Sequence, residues 1–128
     1  MTSASAPSSG AIRTVRNSAT GAVLLDRARW CSSFFCKLRG LMFRRSLPEG
    51  EGLIFVYGSE SKVNASIHML FMAFPIATVW LDKERCVVDK TLARPWRLAY
   101  APRVPAQYVI EARPGLLERV SVGDHLTF

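Results

Sequence analysis

Apolar residues in this chain come in strand-length pieces, and turn residues cut them apart before any can grow into a long helix. Ile12-Arg13-Thr14-Val15-Arg16 alternates apolar and polar, the pattern of a half-buried strand. Asn17-Ser18-Ala19-Thr20-Gly21 is a turn cluster, and Ala22-Val23-Leu24-Leu25 follows as the second arm of a hairpin, although a helix could instead begin at Leu24. Leu53-Ile54-Phe55-Val56-Tyr57 is apolar throughout, as a central strand buried on both faces would be. Further strands are expected over Ser66–Met72, Ile76–Leu81, Cys86–Val88, Gln107–Glu111 and His125–Phe128. Asp82-Lys83-Glu84-Arg85 is a compact charged turn that makes its flanking strands the clearest hairpin of the chain. Pro75 cannot donate to a ladder and belongs at a strand start or a bulge. Pro114-Gly115 opens a short helical turn through Leu116 and Leu117.

One helix is expected. Ala28, Cys31, Phe35, Leu38 and Met42 follow the spacing of a single helical face, which places a helix over about 29–40. Gly40 suits its C-terminal end, where a left-handed backbone costs glycine nothing. Lys37 and Arg39 in its last turn complement the negative end of the helix dipole. Strands and helices do not alternate, so a doubly wound parallel sheet is excluded. The expected fold is mainly β (α+β): an antiparallel β-sandwich or small barrel of about eight short strands with one helix packed on it. Residues 1–10, rich in Ser and Ala, are expected to be a disordered tail without the basic and apolar regions of a secretory signal. Residues 11–128 then form a single β-rich domain, a length that buries a core unaided.

Charge narrows the partner classes. The net charge is +7 and uneven: residues 1–52 carry eight Lys and Arg against three Asp and Glu, and residues 53–128 nine against seven. A basic front half attracts phosphates, nucleic acid or an anionic membrane, or is simply a solvated basic face on a soluble protein. Single-strand nucleic-acid binders interleave aromatic rings with such charge. Here only Trp30, Phe34, Phe35 and Phe43 qualify, and they read as core. Ala65–Leu81 is uncharged, but it is too short to span a membrane and Pro75 interrupts it. The three cysteines, Cys31, Cys36 and Cys86, lack metal-ligand spacing. Cys31 and Cys36 would lie about 140° apart on a helix. All three are expected to be unlinked, buried thiols in a reducing compartment, which gives a cytoplasmic location.

The candidate site residues lie between residues 39 and 97. His68 is the one histidine within an apolar strand. It reads as a ligand contact or general base, or as a core histidine satisfied by a backbone carbonyl. Ile67 and Met69 should face away from it, and Met72 should share its side. Arg39, Arg44 and Arg45 flank the helix end, where backbone N–H groups and guanidinium groups can converge on an anion. Arg39 could equally pair with Glu111 or Asp82. Trp96 and Arg97 lie in the proline-rich loop 92–105. They either stack on a flat ligand or partner, or cover one end of the core. No nucleophile elbow, zinc-protease motif, Walker A or dinucleotide fingerprint is present, and no metal or cofactor is expected.

Together the pieces carry a resemblance. Arg39-Gly40-Leu41-Met42 with Arg44, Gly50, Gly52-Leu53, His68, Met72, Phe74-Pro75-Ile76 and Leu81-Asp82 follow one another at characteristic intervals. Pro95-Trp96-Arg97, Val109-Ile110-Glu111, Gly115 and Gly123-Asp124 continue the series. In order and spacing this resembles the bacterial and archaeal family called domain of unknown function 192, over most of residues 12–128. The resemblance implies a compact β-rich domain and supplies no substrate, cofactor or reaction. One departure stands out: relatives usually carry an aspartate directly after Phe-Pro-Ile, and this chain has Ala77. With no carboxylate there, one arginine is expected to be free for an external anion.

The expected function is a small ligand- or partner-binding domain. It would hold a small anionic ligand or a protein segment in a groove lined by Arg39, Arg44, His68, Met72, Trp96 and Arg97. The alternatives are a hydrolase or isomerase working through His68, and a nucleic-acid-binding protein.

Overall fold

The computed structural model describes residues 7–128, and the expected disorder of residues 1–6 lies outside them. Beyond that stretch the chain is already attached, since Gly10 N–H donates to the Trp30 carbonyl at 2.7 Å. Seven strands follow in chain order: β1 Ile12–Asn17, β2 Val23–Cys31, β3 Glu51–Ser61, β4 Ile76–Leu81, β5 Val87–Ala93, β6 Ala106–Ala112 and β7 Leu126–Thr127. Helix α1 spans Phe34–Arg39, and a 3-10 turn spans Pro114–Glu118.

All seven strands share one sheet, in the order β5-β4-β6-β3-β2-β1-β7. Five of the six pairings are antiparallel, and β2 runs parallel to β3. The two edges meet at one end. Val87 N–H donates to the Asp124 carbonyl at 2.8 Å, Leu126 N–H donates to the Arg85 carbonyl at 3.0 Å, and Cys86 bridges His125. That closure curls the sheet into a half-barrel with hydrophobic residues on both faces. The mainly β expectation with a small barrel and one helix therefore holds.

Alternation sorts the strands into two cores. Val15, Trp30, Ile54, Ala77, Val79, Leu81, Ile110 and Ala112 belong to an inner cluster, together with Leu126 and Phe128. Leu53, Phe55, Ile76, Trp80 and Val109 point the other way, into an outer cluster with Leu41, Leu47, Ile67, Met69 and Met72. Adjacent residues such as Leu53 and Ile54 land in different clusters because successive side chains leave a strand on opposite faces.

Three local expectations need correction. Residues 66–72 do not form a strand. Ile67 makes a single bridge to Tyr100, and the chain then turns through Phe71 at φ 59°. The strand count is accordingly seven. The helix does not run over 29–40 either: β2 extends to Cys31, held by its parallel register from Arg27↔Glu51 to Cys31↔Phe55, and α1 begins only at Phe34. Ser33 caps it by accepting a hydrogen bond from Cys36 N–H at 3.2 Å, and Gly40 closes it at φ 48°. Because Cys31 ends a strand and Cys36 sits in the helix, the helical angle between them does not apply. The two form a disulfide, with Cα atoms 5.6 Å apart, and Cys86 is the free thiol.

Candidate functional site

The residues beyond β3 and α1 build a lid over the outer face of the sheet. Met69 N–H donates to the Arg97 carbonyl at 2.9 Å, and Trp96 N–H donates to the Met69 carbonyl at 2.7 Å. Phe43 N–H donates to the Phe71 carbonyl at 3.0 Å, which ties the turn after α1 to the same layer. Between this lid and the sheet lies a hollow of about 40 Å³, lined by Lys37, Arg39, Gly40, His68, Met72 and Glu111 together with apolar neighbours such as Phe55 and Met69. A space of that size accommodates a few water-sized groups.

Glu111 is the chemical centre of the hollow. It lies on β6 between Ile110 and Ala112, which face the inner cluster, so its side chain is turned to the outer face. Its partners across the sheet are Leu53 on β3 and Thr78 on β4. Burial pushes its carboxyl up to about 8, so the group is predominantly a neutral acid at pH 7. Thr78 is also buried, and among the described residues its hydroxyl is the one buried side-chain oxygen without a hydrogen-bond partner. Burial also raises the Tyr57 hydroxyl to about 12, and a charge on Glu111 pushes the same way.

The helix end sits close over this carboxyl. A Cβ built on Gly40 would lie 3.3 Å from the Phe55 ring and 3.7 Å from Glu111 Oε1. The positive φ favours glycine at position 40, and an added Cβ would press lightly on the Phe55 ring. Lys37 stands over the Tyr57 ring at 4.2 Å, and burial lowers its ammonium pKa.

His68 lines the hollow, and so do Ile67 and Met69, which strand alternation would have turned away from it; residues 66–72 are not a strand, so that alternation does not apply. Its Nε2 lies 3.2 Å from the Leu38 carbonyl and its Nδ1 accepts from Leu70 N–H at 3.2 Å. With Nδ1 accepting, Nε2 is the nitrogen placed to donate to the Leu38 carbonyl. The ring links the Leu38 carbonyl of α1 to the 68–70 turn.

Of the six sequence candidates, Arg39, His68 and Met72 line the hollow, and Arg44, Trp96 and Arg97 do not. Arg44 is half-buried in the turn after α1, and Arg97 lies over the Tyr100 ring at 4.9 Å. Trp96 is exposed and stacks edge-on against Phe71. Arg39 pairs with neither Glu111 nor Asp82. Among the described residues the ion pair present is Arg27 with Asp26 at 4.0 Å. Ala77 belongs to the inner cluster, on the opposite face of the sheet from the hollow. A missing carboxylate there therefore does not liberate an arginine at this site. The sequence offers Glu111 as a partner for Arg39 rather than as the centre of a site. The signal that marks it is a lone carboxylate inside the apolar run Tyr108–Ala112.

A larger hollow of about 400 Å³ lies elsewhere, beside the 3-10 turn. Its Arg119 guanidinium donates to the Val23 and Leu24 carbonyls, and Arg113, Glu49 and Glu51 give it mixed charge. No cluster of potential metal ligands occurs among the described residues.

A half-barrel with a lidded, carboxyl-floored hollow on its outer face defines the class of protein. The profile of the DUF192 family, described as an uncharacterised ACR, matches residues 15–128, and the chain belongs to that family. It is similar to the UPF0127 protein of Thermococcus sibiricus, at 38% identity over 86% of this chain and 71% of the relative. It is also similar to the UPF0127 protein of Pyrococcus furiosus, at 38% identity over 86% of this chain and 93% of the relative. Two crystal structures share the fold. One, from Sinorhizobium meliloti and described as a candidate transcription regulator, superposes with a TM-score of 0.81 at 24% identity over 95% of this chain and 97% of its own. The other, a protein of unknown function from Novosphingobium aromaticivorans, gives 0.75 at 23% identity over 90% of this chain and 82% of its own.

Proposed function

We propose that this protein is a non-enzymatic binding module that holds one small anionic group, of carboxylate size, in the hollow between the end of α1 and β6. The reading is carried by the buried Glu111 carboxyl, kept neutral near pH 7, with Lys37 and Arg39 lining the same space. A neutral acid donates a hydrogen bond to an anion, whereas a carboxylate repels it. His68 fixes the wall, and Met72 and Phe55 supply apolar sides.

Thermal denaturation in acetate, phosphate, sugars, nucleotides and short peptides tests the reading. Small carboxylates should stabilise the wild type by about 2.7 kcal/mol at a hundredfold excess over Kd. The effect should weaken as pH rises through about 8, where Glu111 ionises. Arg39→Ala should remove the response while leaving the ligand-free melting temperature nearly unchanged. A flat response to every anion at pH 6 and pH 9 overturns the proposal.

One observation favours an enzymatic alternative: a buried acid titrating near 8 suits general acid catalysis. The acid would then be Glu111. The hydrolase or isomerase built on His68 has less support, because both imidazole nitrogens have backbone partners. Substrate screens on wild type and Glu111→Gln separate the two readings, since activity lost in the variant would replace the binding module with an enzyme. A nucleic-acid role is favoured by net charge alone. The disulfide favours an oxidising compartment over the cytoplasm. We take residues 11–128 as the folding unit, without a helix long and apolar enough to cross a membrane among its described residues.

A further inference from the structure

Phe35 and Leu38, two of the residues expected on the packed face of the helix, are turned to solvent instead. No residue of α1 is buried. Phe34 is 72% exposed, Phe35 78%, Phe43 68% and Trp96 59%, and Leu38 and Phe71 are also exposed. These side chains are continuous. Phe34 meets Phe35 with ring centroids 5.5 Å apart. Phe35, Leu38, Met42 and Phe43 line one shallow apolar depression with Arg39. Phe43 stacks on Phe71 at 5.0 Å, and Phe71 meets Trp96 edge-on at 5.1 Å.

The backbone holds these rings outward at a cost. Phe43, Phe71 and Trp96 have φ of 65°, 59° and 68°, and they are three of the four non-glycine residues with positive φ among those described. L-residues avoid that region, and such strain concentrates at functional surfaces.

The charge around the rings is of one sign. Lys37, Arg39, Arg44, Arg45, Arg94 and Arg97 each lie within two residues of one of these exposed apolar side chains. No Asp or Glu occurs in residues 31–48, 65–81 or 90–107, the three segments that build this side of the molecule. An apolar protein partner would answer the rings alone, and most protein surfaces mix both signs of charge. A bilayer containing anionic lipid presents uniform negative charge above an apolar layer, and answers both features together.

We propose that the Phe35–Phe43–Phe71–Trp96 face seats this protein on an anionic bilayer surface, with the rings entering the headgroup layer and the surrounding cations contacting lipid phosphates. The inference is independent of what occupies the hollow beside Glu111.

The chain carries its own probe. Trp30 and Trp80 are buried, and Trp96 is the tryptophan exposed on this face. Wild-type protein is mixed with phosphatidylcholine vesicles, with and without phosphatidylglycerol, and Trp96 emission and co-sedimentation are followed. The expected result is a blue shift and sedimentation with the anionic vesicles only. Phe35→Ser/Phe43→Ser should weaken binding at least tenfold. Arg45→Glu and Arg94→Glu should each weaken it about fivefold or more. Melting temperatures of the variants check that they are folded, and the wild-type comparison does not depend on them. Equal binding to neutral vesicles, or no binding to either, overturns the proposal. So does a self-associated protein whose Trp96 is shielded until Phe35→Ser/Phe43→Ser makes it monomeric, since the face would then belong to a second copy.

Discussion

The inner face of the half-barrel and its outer face are made from the same strands and end in opposite ways. Inside, Ile54, Val79, Leu81 and Ile110 are completely enclosed among other apolar side chains, and the buried members of the cluster carry no titratable group, Tyr108 packing against it from its margin. Outside, the same strands present Thr78 and Glu111, buried beneath a lid of turns, with Glu111 beside the hollow. Beyond that lid, α1 leaves its phenylalanines in water. Both faces bury an apolar core, and the buried carboxyl and hydroxyl lie on the outer one. Buried polar groups and outward aromatic rings both cost free energy, and both are gathered on one side.

Ile110→Ala should test the inner face most severely. It leaves a cavity in a fully enclosed site and should lower stability by about 2–5 kcal/mol in a denaturant titration. A loss under 1 kcal/mol would mean that the inner cluster is not the stabilising core.

Glu111→Gln, one residue along the strand, should act oppositely and with pH. The folded state raises this acid above its ordinary value of 4.5. Its favourable contribution is therefore complete below about pH 4.5 and is lost as pH rises to about 8, at about 1.4 kcal/mol per pH unit. Glutamine does not ionise, so the variant should match the wild type near pH 4 and exceed its stability at pH 8. Parallel pH–stability curves would place Glu111 in a polar setting instead.

Cys36→Ser removes the link between β2 and α1. By loop-closure reasoning a crosslink across so short a segment contributes about 2 kcal/mol. The loss should appear as faster hydrogen exchange in residues 34–40, with the inner strands unaffected. Equal loosening of both faces would dissolve the distinction between them.

Phe43→Gly should have the smallest effect. Relief of the left-handed strain, about 1 kcal/mol, opposes loss of the stacking on Phe71, so the melting temperature should hold or rise slightly. A drop comparable to that of Ile110→Ala would show that the ring is part of the core after all.

These two faces were unequally legible. Strand β1 follows from alternation and β3 from a continuous apolar run, while turn residues and prolines bound β4, β5 and β6. The parallel β2–β3 pairing left no local trace, since it is set by strands 20 residues apart in the chain. Ala28, Cys31, Phe35, Leu38 and Met42 match a helical stripe, yet the first two sit on a strand and Phe35 and Leu38 are exposed. Apolar identity says what can be buried, not what is. The disulfide is illegible for the same reason: a helical angle between Cys31 and Cys36 holds only if the helix extends through Cys31, which instead ends β2. His68 and Arg39 stand out in the sequence and both line the hollow, whereas Glu111 does not stand out, because a carboxylate suggests an ion pair before it suggests a neutral acid.

The most direct test is a carbon-13 titration of the Glu111 side-chain carboxyl, in the free protein and in acetate. The account predicts a midpoint near 8 in the free protein, displaced upward when acetate occupies the hollow. A midpoint near 4.5, insensitive to acetate, would put a permanent carboxylate on the floor of the hollow and contradict its role as an anion site.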